Sequence, residues 1–459
     1  MSATFDVQNP ATGARVQSVP DAGAAEARIA ARRSIDAFPG WRDRTAYDRS
    51  KILRAWNDLI LGDEARLARL MTEEMGKPIT ESRGEVKYAA AFVEWYAEEA
   101  KRVYGETVPS QQAHKRLLVR PQPVGPVYAV TPWNFPAAMV TRKAAPALAA
   151  GCTVVLKPAE QSPLTALRLE ALWREAGGPA DVFQVLTTVD PAAVSAVFFD
   201  DPAIRKLTFT GSTEVGILLA TQAARTVKRV SLELGGHAPF LVFDDADLSA
   251  AVREVVASKF RNTGQTCVCA NRIYVQAGIY EAFATALAEA VRGLRVGDPL
   301  DAATSIGPLV DRAGHDKVHA HVQDAVAKGA RAVVGGQPRQ GLYFDPTVLV
   351  EVAPGMRILE EETFGPIAPL VRFAADAEAV AQANGTPFGL AAYLWTRDLT
   401  RAFRVSEALD FGIVGVNDGV PSAPQAPFGG VKASGLGREG GKWGIEEFLD
   451  LKYISIALG

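Results

Sequence analysis

The chain begins with apolar side chains at helical spacing. Between residues 22 and 75 they recur every three or four positions among Ala, Arg and Glu, for example at Leu53, Trp56 and Ile60. A second stretch, 80–103, repeats this spacing with aromatic residues. One apolar face per turn predicts amphipathic helices over both stretches.

After residue 106 short apolar segments alternate with helical ones. The predicted strands include 117–119, 127–130, 153–156, 182–186 and 207–210. A helix is predicted over 164–176, where Gly177 and Gly178 end it, and another after Gly211. Apolar strands joined through helices indicate a parallel sheet of the nucleotide-binding type, covered on both faces. A second α/β region is predicted from about 240 to 425, and a last apolar strand over 453–458.

Composition and charge exclude several classes of protein. A net charge of −3 without a long Lys/Arg run argues against a nucleic-acid partner. The longest charge-free stretch, 121–141, contains five prolines, which disfavours a membrane helix. The N-terminus lacks the basic and apolar regions of a secretory signal. Three cysteines are too few for a disulfide framework, so we expect a cytoplasmic protein without a membrane partner.

The first candidate for chemistry is Cys267, at the end of Phe-Arg-Asn-Thr-Gly-Gln-Thr-Cys. A cysteine after a glycine-containing turn can lie at a helix N-terminus, where the peptide dipoles lower the thiol pKa. The alternative is a small, inert core residue.

The second candidate is Glu233, which lies between apolar residues and before two glycines. Burial would raise the pKa of this carboxyl and suit it to act as a general base. The alternative is a water-exposed glutamate at a strand edge.

The third candidate is Asn134, in a Thr-Pro-Trp-Asn-Phe-Pro segment directly after a predicted strand. Its side-chain amide is a suitable donor to an oxyanion that forms during a reaction. Taken alone, the segment is better explained as a turn.

The histidines include one cluster, His315, His319 and His321. No HExxH motif or Cys/His ligand set accompanies it, so we predict a solvated helix face and no metal site.

Taken together, these segments resemble the aldehyde dehydrogenase superfamily over essentially the whole chain. The matching segments are TPWNFP (131–136), VLKPAEQSPLTA (155–166), FTGSTEVG (209–216), LELGG (232–236), FRNTGQTC (260–267), EETFGP (361–366) and PFGGVKASGLGRE (427–439). Within the superfamily the chain is most similar to succinate-semialdehyde dehydrogenases, in CVCAN (267–271), TRK (141–143) and KWGIEEFLDLKY (442–453).

The resemblance implies an α/β fold with three parts. A Rossmann-type cofactor domain would comprise 1–105 and 127–234, with 428–446 returning to it. An α/β catalytic domain would comprise 235–427. A β oligomerisation arm would comprise 106–126 and 447–459, with the last strand adding to the sheet of another subunit in a homo-dimer or homo-tetramer.

The resemblance also implies a covalent mechanism. Cys267 would attack the aldehyde and form a thiohemiacetal, whose oxyanion Asn134 and the Cys267 N–H would hold. Hydride transfer would leave a thioester, and Glu233 would activate the water that hydrolyses it. Cys269 is either a packed, inert residue or the partner of Cys267 in a reversible disulfide that inactivates the enzyme.

In the family pattern one set of residues binds a nicotinamide dinucleotide. They are Trp133, Lys157, Glu160, Gly211, Ser212, Glu362 and Phe364. A carboxylate at Glu160 would accept from the ribose 2′-OH but repel a 2′-phosphate, so we expect NAD in preference to NADP.

Substrate choice is expected to depend on Arg142, Arg261 and Ser422, which by resemblance clamp a distal carboxylate on the aldehyde. The expected reaction is oxidation of succinate semialdehyde to succinate. Glutarate semialdehyde or another small aldehyde stays open as the substrate, because one methylene changes binding by only ~1–3 kcal/mol. The alternative function from another class is that of a thiol hydrolase, which catalyses no redox step.

Overall fold

The protein is described by a computed structural model over residues 3–458. Met1, Ser2 and Gly459, which fall within the predicted ranges 1–105 and 447–459, lie outside the described residues. The helices are α1 (Ala24–Arg42), α2 (Ala46–Gly62), α3 (Glu64–Met75), α4 (Ile79–Glu99), α5 (Ala138–Ala150), α6 (Pro163–Glu175), α7 (Pro191–Asp200), α8 (Thr213–Ala224), α9 (Leu248–Lys259), α10 (Tyr280–Arg292), α11 (Arg312–Ala327), α12 (Asp376–Asn384), α13 (Leu399–Ala408) and α14 (Gly441–Glu446).

The strands alternate with these helices along much of the chain. They are β1 (Thr4–Gln8), β2 (Arg15–Pro20), β3 (Glu106–Val108), β4 (Lys115–Pro123), β5 (Val127–Val130), β6 (Val154–Lys157), β7 (Phe183–Val185), β8 (Lys206–Thr210), β9 (Arg229–Glu233), β10 (Ala238–Val242), β11 (Ala270–Gln276), β12 (Arg331–Val334), β13 (Thr347–Val350), β14 (Ile367–Phe373), β15 (Ala391–Trp395), β16 (Ile413–Val416), β17 (Gly435–Leu436) and β18 (Leu449–Ala457).

Two mainly parallel sheets form the body of the molecule. A six-stranded sheet has the order β17-β9-β8-β5-β6-β7, and only β17 is antiparallel to its neighbour. A seven-stranded sheet has the order β12-β13-β14-β11-β10-β15-β16, and only β12 is antiparallel. The predicted α/β architecture with parallel sheets is therefore confirmed.

Helices bury both faces of each sheet. In β5, Val127 and Ala129 belong to one apolar cluster while Tyr128, between them, belongs to another. Phe240 and Leu241 in β10 divide in the same way between two further clusters. Because successive side chains of a strand point to opposite faces, both faces are packed, as the continuous apolar runs predict.

The last strand pairs within its own chain. β18 pairs antiparallel with β4 of the same chain, with Tyr453 opposite Val119, and β3 completes a three-stranded sheet. β18 lies at the edge of this sheet, so the expectation that it also adds to the sheet of another subunit stays a prediction. Apolar patterning identifies a strand but carries no information about a partner so distant in the chain.

The fold brings the ends of four adjacent strands to one edge of the six-stranded sheet. Glu233 and Lys157 are the last residues of β9 and β6, Ser212 follows β8, and Asn134 follows β5. The carboxyl ends of parallel strands form the crevice in which such sheets bind ligands. Within residues 3–458, no helix combines the length and apolarity that crossing a bilayer requires.

Candidate active site

Cys267 lies in a turn between a short 3₁₀ helix, Arg261–Gly264, and strand β11. The prediction that it lies at a helix N-terminus is wrong, and so is the lowered pKa that followed from it. Burial, reinforced by the carboxylate of Glu362, raises the pKa of the Cys267 thiol to about 12. The resting thiol is therefore protonated at neutral pH and needs a base in order to react.

The backbone before Cys267 is strained. Asn262 and Thr263 adopt left-handed conformations, with φ of 52° and 57°, which cost on the order of 1–3 kcal/mol each. Hydrogen bonds hold the loop in place: Glu81 accepts from the Asn262 N–H at 2.6 Å, and the Gly307 N–H donates to Thr263 Oγ1 at 3.1 Å. The strain is thus compensated by contacts from outside the loop.

Asn134 is buried beside this loop. Its Nδ2 donates to the Gln265 carbonyl at 3.2 Å. Its own carbonyl accepts from Asn262 Nδ2 at 3.0 Å and from Lys77 Nζ at 2.8 Å. The segment that carries Asn134 and the loop that carries Cys267 are therefore fixed to each other.

Glu233 is buried at the end of β9, so the alternative of a water-exposed glutamate is wrong. Its Oε2 has no hydrogen-bond partner among residues 3–458. Burial first, and then the nearby Glu439 carboxylate, hold its pKa well above the usual range. These surroundings make the carboxylate of Glu233 more basic than that of an exposed glutamate.

Two cavities meet at Cys267, which lines both. The first has a volume of about 310 Å³, and its lining includes Tyr88, Phe135, Met139, Arg142, Arg261, Ser422 and Phe428. The second has a volume of about 250 Å³, and its lining includes Trp133, Asn134, Gly211, Ser212, Lys317, Glu362 and Phe364. The residues predicted for substrate thus lie on one side of the thiol, and most of those predicted for cofactor lie on the other.

The two arginines of the first cavity differ in their partners. Arg142 Nη2 lies 2.8 Å from Glu439 Oε2, and its guanidinium lies over the Phe428 ring at 3.9 Å. The Nε of each arginine is buried without a hydrogen-bond partner among the described residues, but Arg261 forms no ion pair there. Arg142 thus has a carboxylate partner in Glu439, whereas the guanidinium of Arg261 is available to an anion.

The lining of the second cavity combines a helix N-terminus, a buried carboxylate and aromatic rings. Ser212 caps α8, accepting from the Val215 N–H at 3.4 Å, so the N-terminal amides of this helix face the cavity. The buried carboxylate of Glu362 accepts from the Gly236 N–H at 3.3 Å. The Phe364 ring packs edge-on against Trp133, with 5.5 Å between centroids. These groups fit a nicotinamide dinucleotide.

Two residues of the predicted cofactor set lie outside the lining of this cavity. Lys157 is the buried last residue of β6, and its Nζ lies 3.2 Å from Glu160 Oε2. The Glu160 side chain is 44% exposed. The ammonium of Lys157 thus offsets the carboxylate of Glu160.

Some residues of the site carried no prediction. Glu439 is buried between Arg142 and Lys143, whose Nζ lies 2.6 Å from Glu439 Oε1. Arg142 and Lys143 lie in the TRK motif, and Glu439 is the last residue of PFGGVKASGLGRE. Nothing in the sequence indicates that these two motifs meet in the fold. Lys317 and Asn262 were likewise missed.

The histidine cluster is not a solvated face, so that prediction is wrong. His315 and His321 are buried, and His319 is only partly exposed. His321 contacts Glu361 and Thr363, which flank the predicted cofactor residue Glu362.

Cys269 is buried next to a lysine. Its Sγ lies 3.6 Å from Lys259 Nζ and 3.4 Å from the Gly264 carbonyl oxygen. Both thiols, Cys267 and Cys269, are free in this structure. A redox switch between them stays a prediction.

Comparison with known proteins identifies the family. Residues 1–454 match the model of the aldehyde dehydrogenase family. The chain is 57% identical over 456 residues to a succinate-semialdehyde dehydrogenase [NADP(+)] of Escherichia coli, covering 99% of this chain and 94% of that protein. It is 54% identical over 455 residues to a glutarate-semialdehyde dehydrogenase of Pseudomonas putida, covering 99% and 95%.

A solved structure agrees with these relatives. The crystal structure of an E. coli NADP-dependent enzyme superposes with a TM-score of 0.98 at 56% identity, covering 99% of this chain and 95% of that one. The chain therefore belongs to the aldehyde dehydrogenase family. It is an enzyme that oxidises an aldehyde with a nicotinamide dinucleotide.

The comparison corrects the expected cofactor. The E. coli enzyme and the E. coli structure are both named for NADP, so the prediction of NAD in preference to NADP is wrong. An isolated negative charge at Glu160 would repel a 2′-phosphate, but Glu160 is not isolated. The ion pair with Lys157 and the exposure of the Glu160 side chain remove much of the repulsion that it would exert on a 2′-phosphate.

Proposed function

We propose that the protein oxidises succinate semialdehyde to succinate, with NADP⁺ as the oxidant and Cys267 as the covalent nucleophile. The observation that carries this proposal is the position of Cys267 where the two cavities meet, with arginines in one and the dinucleotide-type lining in the other. The name of the E. coli relative supports both the substrate and the oxidant.

In the proposed reaction the Cys267 thiol transfers its proton to solvent water and the sulfur bonds to the aldehyde carbon. The carbonyl oxygen becomes an oxyanion, which Asn134 Nδ2 and the Cys267 N–H stabilise in the resulting thiohemiacetal. The bound dinucleotide supplies the hydride acceptor, and loss of the hydride leaves a thioester on Cys267. One such amide donor contributes roughly 2.7–4 kcal/mol to lowering a barrier of this kind.

Glu233 then acts as the base for hydrolysis. It takes a proton from water as the water oxygen bonds to the thioester carbon, and the Cys267 sulfur leaves as a thiolate. The acid so formed gives its proton to the Cys267 thiolate, which leaves a carboxylate and the regenerated thiol, and Glu233 releases its proton to solvent. Burial makes the ionised form of Glu233 a stronger base than an exposed carboxylate, because it raises the pKa of the group.

We assign recognition of the distal carboxylate chiefly to Arg261. Replacement of Arg261 by Ala is expected to raise KM for succinate semialdehyde roughly 10–100-fold, because a hydrogen bond to a charged group contributes about 1.5–3 kcal/mol. KM for butanal, which has no carboxylate, is expected to change little. Steady-state kinetics with the two aldehydes measure the difference. Equal increases in both KM values would contradict the role of Arg261.

The proposed function is tested by a panel of four- to six-carbon aldehydes, with and without a terminal carboxylate, each assayed with NADP⁺ and with NAD⁺. We expect the highest kcat/KM for succinate semialdehyde with NADP⁺. Glutarate semialdehyde is the second candidate substrate, favoured by the Pseudomonas putida relative. Absence of reduced dinucleotide with every aldehyde would contradict the proposal and favour a thiol hydrolase.

We also propose that the protein is a homo-dimer or homo-tetramer in the cytoplasm. The three-stranded sheet exposes large apolar side chains, with Leu451 74% and Tyr453 62% exposed. Apolar groups clustered in this way favour a protein partner. Free thiols at Cys152, Cys267 and Cys269 suit a reducing compartment.

A further inference from the structure

His321 contacts both residues that flank Glu362. This histidine lies on α11 and is fully buried. Its Nε2 lies 3.1 Å from Glu361 Oε2, and its Nδ1 lies 3.2 Å from Thr363 Oγ1. The imidazole therefore links the residues on either side of Glu362, whose carboxylate lines the dinucleotide cavity.

The chemistry of the partners fixes which ring nitrogen carries the proton. Hydrogen bonds from Arg357 and His321 lower the pKa of Glu361 to about 2, so its carboxylate can only accept. His321 Nε2 must then donate, and the neutral ring leaves Nδ1 to accept from the Thr363 hydroxyl. Burial also lowers the pKa of His321 and so favours the neutral ring. One tautomer thus satisfies all three groups.

The helix that carries His321 touches the same segment at other points. A β-carbon on Gly365 would collide with Val318, so α11 packs directly against the backbone there. Lys317, on the same helix, lines the dinucleotide cavity. Phe364 has a left-handed backbone with φ of 56°, a conformation that persists only where neighbouring contacts impose it.

We propose that His321 is a positioning residue for the nicotinamide end of the cofactor, acting through Glu362 and Phe364. Its two hydrogen bonds hold the segment 361–364 against α11 with the Glu362 carboxylate and the Phe364 ring directed at the cavity. The role rests on the proposed function, since it concerns the same dinucleotide. It is separate from the chemistry of Cys267, which lies on another segment.

The test compares His321→Ala with His319→Ala. His319 lies on the same helix but packs near the Phe344 ring, away from the segment 361–364. For His321→Ala we expect the Kd for NADP⁺, measured by calorimetric titration, to rise about tenfold, which corresponds to losing about one buried hydrogen bond. We also expect a deuterium isotope effect on kcat with 1-deuterated aldehyde, because hydride transfer becomes slow. His319→Ala should show neither change.

Two further measurements separate positioning from general loss of structure. Acylation of Cys267 by p-nitrophenyl acetate needs no dinucleotide. In the His321→Ala enzyme its rate should stay within about twofold of the rate in the unmodified enzyme, because the segment 361–364 takes no part in this step. Thr363→Val should reproduce part of the His321→Ala effect, while Thr363→Ser, which keeps the hydroxyl, should restore the lower Kd.

The inference is overturned if His321→Ala leaves the Kd for NADP⁺ unchanged, or if acylation of Cys267 falls in parallel with dinucleotide binding. The proposed function fails separately, if the unmodified enzyme forms no reduced dinucleotide with any aldehyde. In that case the titration still reports whether His321 supports binding of NADP⁺.

Discussion

Replacement of Cys267 by alanine is expected to lower kcat for aldehyde oxidation by roughly four orders of magnitude or more, the scale on which removal of a nucleophile from a catalytic unit acts. The thiol is the group that lines both cavities, and without it neither the thiohemiacetal nor the thioester can form. The formation of NADPH, followed by absorbance, measures the loss.

A matched control is available in the same chain. Cys152 is buried beside the Phe448 carbonyl, away from both cavities, so Cys152→Ala should retain most of the activity. Substantial NADPH formation by the Cys267→Ala enzyme would show that another group attacks the aldehyde.

Replacement of Glu233 by glutamine is expected to separate the two halves of the reaction. The change keeps the shape of the buried side chain but removes its basicity, so hydrolysis of the thioester should slow by about 10²–10⁴-fold. Hydride transfer should continue, because it precedes that step. Rapid mixing with succinate semialdehyde and NADP⁺ should therefore give a burst of NADPH close to one equivalent per active site, followed by slow turnover.

The informative comparison is between the burst and the steady rate. If the Glu233→Gln enzyme lost both the NADPH burst and the steady-state turnover, Glu233 would be needed before the thioester forms. One such role would be to deprotonate Cys267, whose pKa is also raised. A steady rate equal to that of the unmodified enzyme would remove Glu233 from hydrolysis.

Sequence patterns predicted the sheet architecture well because burial on both faces leaves a local signature. Segments such as β10 are continuously apolar, and the apolar residues of α6 recur at helical spacing. The partner of β18 could not be predicted, because pairing between distant strands depends on the assembled fold rather than on either segment.

In the candidate site, too, local features could be predicted and contacts between distant segments could not. Cys267, Glu233 and Asn134 stand out locally, each being a reactive or polar residue among glycines and apolar neighbours. The environment of each group was harder to predict. The sequence suggested a helix N-terminus before Cys267, where the structure has a left-handed loop and a raised pKa.

Electrostatic partners were the least predictable feature. Arg142 and Arg261 look equivalent in the sequence, but Glu439, almost 300 residues from Arg142 in the chain, pairs with only the first of them. The ion pair with Lys157 likewise offsets the negative charge of Glu160, on which the prediction of NAD depended. Charges act through distance and burial, and a sequence gives neither.

The most direct measurement is mass spectrometry of the Glu233→Gln enzyme, quenched in acid shortly after mixing with succinate semialdehyde and NADP⁺. We predict a succinyl group on the peptide that contains Cys267, present only when both aldehyde and NADP⁺ are supplied and lost on treatment with hydroxylamine. NADPH formation with no acyl group on Cys267, or an acyl group on a different residue, would contradict covalent catalysis by this thiol.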